Sequence, residues 1–226
     1  MGLSTKGLVE SAGSGMPKTI SPGNHTLKIN RVYLEPFKFI DDAYHLYLDM
    51  ETKPIDGFEG FMLDKDDPTK GNHKGQVGRV KASQYAFADG ETKSGIKIQR
   101  DRSMLIFLQN LCKALDINEW FTSQDGKHDT IEDFVKGFNN DQPFKDIYLD
   151  MCIAGKEYMS KSGYTNYDMW LPKSSKDGYA FSAEESGKTV IFNENDHLKK
   201  LEVKQVDSFG SDLDIDSKSS SDFSLD

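Results

Sequence analysis

Cysteine and tryptophan are scarce, with two of each in 226 residues. Cys112 and Cys152 lie forty residues apart in different apolar patterns. They form no C-x-x-C or similar spacing, so neither a zinc site nor a disulfide framework is supported, and two buried reduced thiols are expected. No apolar run approaches the ~18 residues of a membrane span. The first residues lack the apolar region of a secretory signal. Met1-Gly2-Leu3-Ser4-Thr5-Lys6 also puts lysine where a myristoylation motif takes Ser or Thr. These absences predict a soluble, cytoplasmic protein with no membrane partner.

Enzyme motifs are missing as well. In Gly13-Ser14-Gly15-Met16-Pro17-Lys18-Thr19, proline stands where a phosphate loop needs glycine before its lysine. Gly187-Lys188-Thr189 has the right ending, but Ser182 occupies the place of the first glycine. Without those glycines no backbone N–H cradle is expected. The histidines at 25, 45, 73, 128 and 197 are scattered, with no H-x-x-x-H pair and no G-x-S-x-G elbow nearby. Asp66-Asp67 reads as a solvated loop pair. The expectation is therefore a non-enzymatic protein with no catalytic residue, metal or cofactor.

What is present begins with charge. Hydrophobic residues make up 36% of the chain, charged residues 29% and aromatic residues 11%, with a net charge of −9. From Asp207 to Asp226, six aspartates oppose one lysine, a local charge of −5. From Lys70 to Arg102, eight Lys and Arg oppose three acids, a local charge of +5. A basic middle and an acidic segment share one chain.

Residues 1–24, rich in Gly and Ser and without apolar periodicity, read as a flexible arm. Residues 25–206 read as one domain, and residues 207–226 as a disordered acidic tail. Leu27, Ile29, Val32 and Leu34 mark a first strand with an irregularity near Arg31. Tyr44, Leu46, Leu48 and Met50 alternate with polar residues as a half-buried strand does. Phe58 to Leu63 is a short strand candidate, and Asp64 to Gly75 a loop. A third strand is expected over Gln76 to Phe87, with Arg79, Lys81, Ser83 and Tyr85 on one face. Met104, Leu108, Leu111 and Leu115 predict a helix from about Ile98 to Leu115. Ile131, Phe134 and Val135 predict a shorter helix, Phe144 to Ile153 and Tyr164 to Leu171 two further strands. Residues 190–206 are weakly patterned. The fold class is mainly β with inserted helices, in the element order of an OB-fold, a small Greek-key barrel.

Basic and aromatic side chains interleave on the expected strand faces. Arg79, Lys81 and Tyr85 share a face of the third strand, and His45 and Tyr47 the outer side of the second. Lys156, Tyr158, Lys161 and Tyr164 surround a turn, and Lys74 lies in the loop before the third strand. Tyr44, Phe58, Phe61, Trp120 and Trp170 read as packing. Cations answer phosphates and rings answer base faces, so this pattern points to single-stranded nucleic acid. The tail alternates acid and apolar residues through Asp212, Leu213, Asp214, Ile215 and Asp216, then Asp222, Phe223, Ser224, Leu225 and Asp226. Its charge suits competition for a cationic groove, and its apolar residues suit pockets on partner proteins.

With its barrel-like order from His25 to Leu171, Pro22-Gly23 before the first strand and the tail Ser211–Asp226, the chain resembles phage-encoded single-stranded DNA-binding proteins with an OB-fold core and an acidic tail. That wider group is taken to include those of crAss-like phages. The resemblance implies coating of unwound DNA in replication or recombination, in the host cytoplasm, and recruitment of replication or recombination proteins through the tail. The terminal Asp222-Phe223-Ser224-Leu225-Asp226 departs from the Pro-Phe ending of bacterial relatives. One competing reading is a protein-interaction or virion-associated structural module. Another is a nuclease whose Asp49, Asp150 and Asp168 converge on a metal only in three dimensions.

Overall fold

The computed structural model describes residues 19–58, 60–62, 72–183 and 188–201. It is mainly β, and its centre is a closed five-stranded barrel. β1 (Gly23–Pro36) pairs antiparallel with β2 (Tyr44–Thr52), and β2 pairs antiparallel with β5 (Val77–Lys81). β5 runs parallel to β9 (Thr165–Trp170), which pairs antiparallel with β8 (Tyr148–Met159). β8 closes the ring by pairing with the first half of β1, Gly23 to Lys28.

One long strand can serve two neighbours because it bends. The register between β1 and β2 shifts between Ile29 and Arg31, the place where the hydrophobic alternation breaks. Such a bulge sharpens the local twist and re-aims the residues after it. Leu27, Ile29 and Val32 remain inside, with Leu46, Leu48 and Met50 of β2, Val80 of β5 and Leu149, Met151 and Ile153 of β8.

Two short ribbons lie between the barrel strands: β3 (Phe61–Met62) with β4 (Asn72–His73), and β6 (Gly90–Glu91) with β7 (Lys97–Ile98). The helices α1 (Arg100–Ala114), α2 (Asn118–Ser123) and α3 (Ile131–Asp141) connect β5 to β8. Met104, Leu108 and Leu111 of α1 and Phe134 and Phe138 of α3 join the barrel core. The Asn139 side chain donates to the Val32 carbonyl and accepts from the Val32 amide, tying α3 to β1. β10 (Phe181–Ala183), α4 (Glu194–His197) and β11 (Leu198–Lys199) follow, β10 and β11 both pairing with β8. No helix among the described residues is long and apolar enough to cross a membrane.

Several expectations need correcting. The third strand stops at Lys81 instead of running to Phe87. Ala82 still donates to the Leu46 carbonyl at 2.8 Å, residues 83–86 leave the sheet, and Phe87 returns to bridge Tyr44, with Phe87 N–H to Tyr44 O at 2.7 Å. The fourth barrel strand begins at Tyr148, because Phe144 is buried in a turn that has Asp146 at positive φ. Of the stretch read as a strand over Phe58 to Leu63, the described residues place Phe61 and Met62 in β3. α2 was not expected.

The arm also ends earlier than position 24. Thr19 bridges Val77, and Ile20 is only 2% exposed within the core. β5 and β9 share just two register pairs, Val80↔Met169 and Lys81↔Trp170, so the wall opens beyond them. Ile20 fills that opening. A Cβ on Gly78 would stand 2.9 Å from the Ile20 Cβ, which is why glycine sits at this point of β5. Cys112 and Cys152 are free and buried, and burial pushes their thiols up to about 12 and about 11.

Candidate nucleic-acid interface

Strand alternation places a second set of side chains on the outer face of β1, β2 and β5. In register they form two rows, Tyr33, Tyr47 and Lys81, then Arg31, Asp49 and Arg79, with Glu35 opposite His45. The bulge brings this about, since after the shift at Arg31 every second residue of β1 faces outward.

The rings touch in sequence. Tyr33 stacks on Tyr47 at 5.6 Å with their planes 18° apart, and His45 meets Tyr47 edge-on at 5.8 Å. Phe37 meets His45 at 5.2 Å, and Phe39 meets Phe37 at 5.4 Å. Phe37 and Phe39 belong to the loop between β1 and β2, and Phe39 is 85% exposed. Two guanidinium groups lie over this row. That of Arg79 is 3.8 Å from the Tyr47 centroid and 5.2 Å from that of Tyr33, and that of Arg31 is 4.8 Å from Tyr33. Contacts of this kind hold an arginine flat on a ring face and leave its outer side free to meet a phosphate or base.

Burial, and after it Lys81, push the His45 ring below its ordinary range, so it is uncharged at neutral pH. Its Nδ1 is buried without a partner among the described residues. Burial raises the Asp49 carboxyl, partly offset by the Tyr33 hydroxyl, which donates to it at 3.3 Å, and by Arg31 and Arg79.

The cations are not bare. Arg79 forms an ion pair with Glu35 and keeps 44% of its side chain exposed. Lys81 is 13% exposed and holds Asp168 at 2.7 Å. Both cations of this strand face are therefore paired, and their acids come from β1 and β9, which one strand's own sequence does not reveal. On the central face Arg31, Arg79 and Lys81 stand against Glu35, Asp49 and Asp168.

Tyr47, Arg79 and Tyr158 come together. With Asp168, Asn166 and the segment Thr19–Ser21 they line a groove of about 740 Å³ beside the opening between β5 and β9. Lys156, two residues before Tyr158, is exposed on β8 opposite Asp168. Lys161 and Tyr164 lie at the β8–β9 turn, where Gly163 takes φ 81° and Tyr164 is 73% exposed. Tyr85 is not on this face. It is 68% exposed and lines a different cavity with Trp170, Lys173 and Lys199. Lys74 is elsewhere too, its backbone amide donating to Glu51 at 3.2 Å.

The possible metal triad does not form. Asp49 accepts from Tyr33, Asp150 accepts from Thr26 at 2.7 Å, and Asp168 is held by Lys81. Among the described residues no group of three His, Cys, Asp or Glu is placed to hold a metal ion. The tail residues Asp212, Asp214, Asp216, Asp222, Phe223 and Leu225 lie outside the described residues.

Arg31, Tyr33, Phe37 and Phe39 join this face without having been expected on it. The broken alternation at Arg31 was the available signal for the first two. Two phenylalanines in a short loop, Phe37-Lys38-Phe39, were the signal for the others. Comparison of the chain with protein-family models, with curated proteins and with solved structures finds no match in any of the three.

Proposed function

We propose that the chain is a non-enzymatic binder of single-stranded DNA and that the outer face of β1, β2 and β5 is its binding surface. The observation that carries this reading is the row of five touching rings, Phe39, Phe37, His45, Tyr47 and Tyr33, with Arg79 and Arg31 laid over one end. Unpaired bases offer a π-face whatever their sequence, and each stacked base contributes roughly 1–3 kcal/mol. Duplex DNA hides those faces.

The barrel supports the same reading. In chain order its five strands are neighbours as first, second, third, fifth and fourth, the fourth returning to the first, with third and fifth parallel. An OB-fold has this arrangement, and such folds bind oligonucleotides on the second and third strands and on the loops after the first and fourth. Here those are β2, β5, the loop carrying Phe39 and the turn carrying Lys161 and Tyr164. On this reading the protein coats unwound DNA in replication or recombination in the cytoplasm of a phage-infected host.

Phosphates must compete with Glu35 for Arg79 and with Asp168 for Lys81, so stacking is the larger share of affinity. Titration of labelled dT oligonucleotide at several salt concentrations tests the proposal. Binding that weakens with added salt, with a logarithmic slope of about −0.7 per phosphate neutralised, is expected. Absence of a complex with poly-dT at low salt refutes it and favours a protein-docking role for the exposed Phe39 loop.

The acidic segment Asp207–Asp226 is assigned a second role as a polyanion that competes for this surface and recruits replication or recombination proteins. Its deletion is expected to tighten oligonucleotide binding several-fold at low salt, an effect that fades as salt screens the charges. Equal or weaker binding by the truncated chain contradicts that role.

A further inference from the structure

A second large cavity lies away from the proposed DNA face. It measures about 770 Å³ and lies between α1 and the segment around β10. Phe107 and Phe181, in edge-to-face contact at 5.7 Å, form part of its wall, with Ala82, Leu171, Pro172 and Tyr179. Lys113, Lys173 and Lys188 also line it, and no carboxylate among the described residues does. Lys113 and Lys173 have no ion pair with a described residue. On the barrel face, by contrast, Arg79 and Lys81 are each paired with an acid. An apolar hollow whose charged residues, among those described, are lysines is complementary to a short peptide that alternates apolar and acidic residues.

We infer that this cavity is the docking site of the chain's own segment Asp222-Phe223-Ser224-Leu225-Asp226, with Phe223 and Leu225 in the apolar hollow and the aspartates on the lysines. The two apolar residues are spaced so that an extended chain turns both to one side, and the acids flank them. The described chain also leaves at the right place. Leu201 N–H is held by Glu157, and Lys199 lines a neighbouring cavity that shares Leu171, Pro172 and Lys173 with the large one. Twenty residues lie between Leu201 and Asp222. A stretch of that length is long enough to reach the cavity, since even a random coil of 20 residues spans about 25 Å root-mean-square, more than the ~17 Å radius of gyration of a domain of this size. Tethering gives an effective concentration on the order of millimolar, so a five-residue contact too weak to hold a free peptide is well populated within one molecule.

This site does not depend on DNA binding, and its test needs no DNA. The full chain, as an equal mixture of ordinary and ¹⁵N-labelled protein, is treated with a carbodiimide that joins lysine to carboxylate at zero length, and the linked peptides are read by mass spectrometry. Links from Asp222 or Asp226 to Lys113, Lys173 or Lys188 within one isotopic form are expected. The double variant Phe223→Ser, Leu225→Ser keeps every charge and should reduce those links about tenfold, since two apolar side chains no longer leave water. Links unaffected by the double variant, links only between isotopic forms, or links mainly to Lys74, Lys156 or Lys161 each overturn the inference.

Discussion

Replacing Tyr47 by alanine is expected to weaken dT binding about tenfold or more, the loss of one stacked base. Tyr47 is the ring on which the site converges, being in contact with Tyr33, His45 and the Arg79 guanidinium. Its removal interrupts the ring row and takes away the ring over which the Arg79 guanidinium sits. Tyr47→Phe retains the ring and should bind like the parent. Arg79→Ala acts differently: it removes a phosphate contact, so its loss of affinity comes with a salt slope shallower by about 0.7. Tyr47→Ala should leave the slope unchanged. Oligonucleotide titrations over a salt series separate the two effects, and Tyr47→Ala with parental affinity would remove the ring from the site.

The second large effect concerns what holds the β2 end of the same face. Glu51 is 8% exposed and gathers a cluster of donors. It accepts from the amides of Lys74 and Gly75 at 3.2 and 3.3 Å, from Asn30 at 3.3 Å and from His73 at 3.2 Å, with Lys28 at 3.8 Å. Burial alone would raise this carboxyl. The bonds from His73, Asn30 and Gly75, with Lys28, reverse that and hold it below the usual carboxylate range. Glu51→Ala leaves several of these donors without their acceptor and is expected to cost about 3 kcal/mol, or roughly 10 °C in melting temperature for a domain of this size.

The sign of the pH dependence follows from the direction of that shift. A carboxyl whose folded value is depressed contributes stability above its unfolded value, about 4.3 for glutamate, and that contribution is lost as pH falls through the lower folded value. The gap in melting temperature between the parent and Glu51→Gln, which retains an acceptor but no charge, should be full at pH 7 and shrink below about pH 4. Thermal melts from pH 7 to pH 3 check this. A gap that stays constant over that range contradicts the assignment.

The barrel strands were legible wherever one face was buried. Leu46, Leu48 and Met50 fix the phase of β2, and the break in alternation near Arg31 corresponds to a real bulge. The third strand was read too long because outward residues go on alternating through Ser83 and Tyr85 after the backbone has left the sheet. Nothing in that stretch shows that Phe87 must return to Tyr44. Ile20 was hidden by its setting, one apolar residue in a Gly, Ser and Pro stretch, whose burial depends on a gap between β5 and β9.

Site residues divided the same way. Tyr47 and Arg79 face outward, as the alternation of their own strands predicts. The acids that pair with Arg79 and Lys81 come from other strands, as in Lys81–Asp168, where 87 residues separate the partners. Such pairings are set by the closing of the barrel, so a periodicity argument within one strand cannot reach them. Tyr85 fell away from the site for the same reason that the strand ends at Lys81.

The central claim is that rings and guanidinium groups on β1, β2 and β5 hold an unpaired strand. Ultraviolet cross-linking of the full chain to oligo-dT, followed by mass spectrometry of the linked peptides, tests it most directly. Adducts should concentrate on Tyr33, Phe37, Phe39 and Tyr47, with Tyr158 across the groove, and decline as salt is added. Adducts confined to Tyr85 and Tyr179, or none where a complex demonstrably forms, would contradict it.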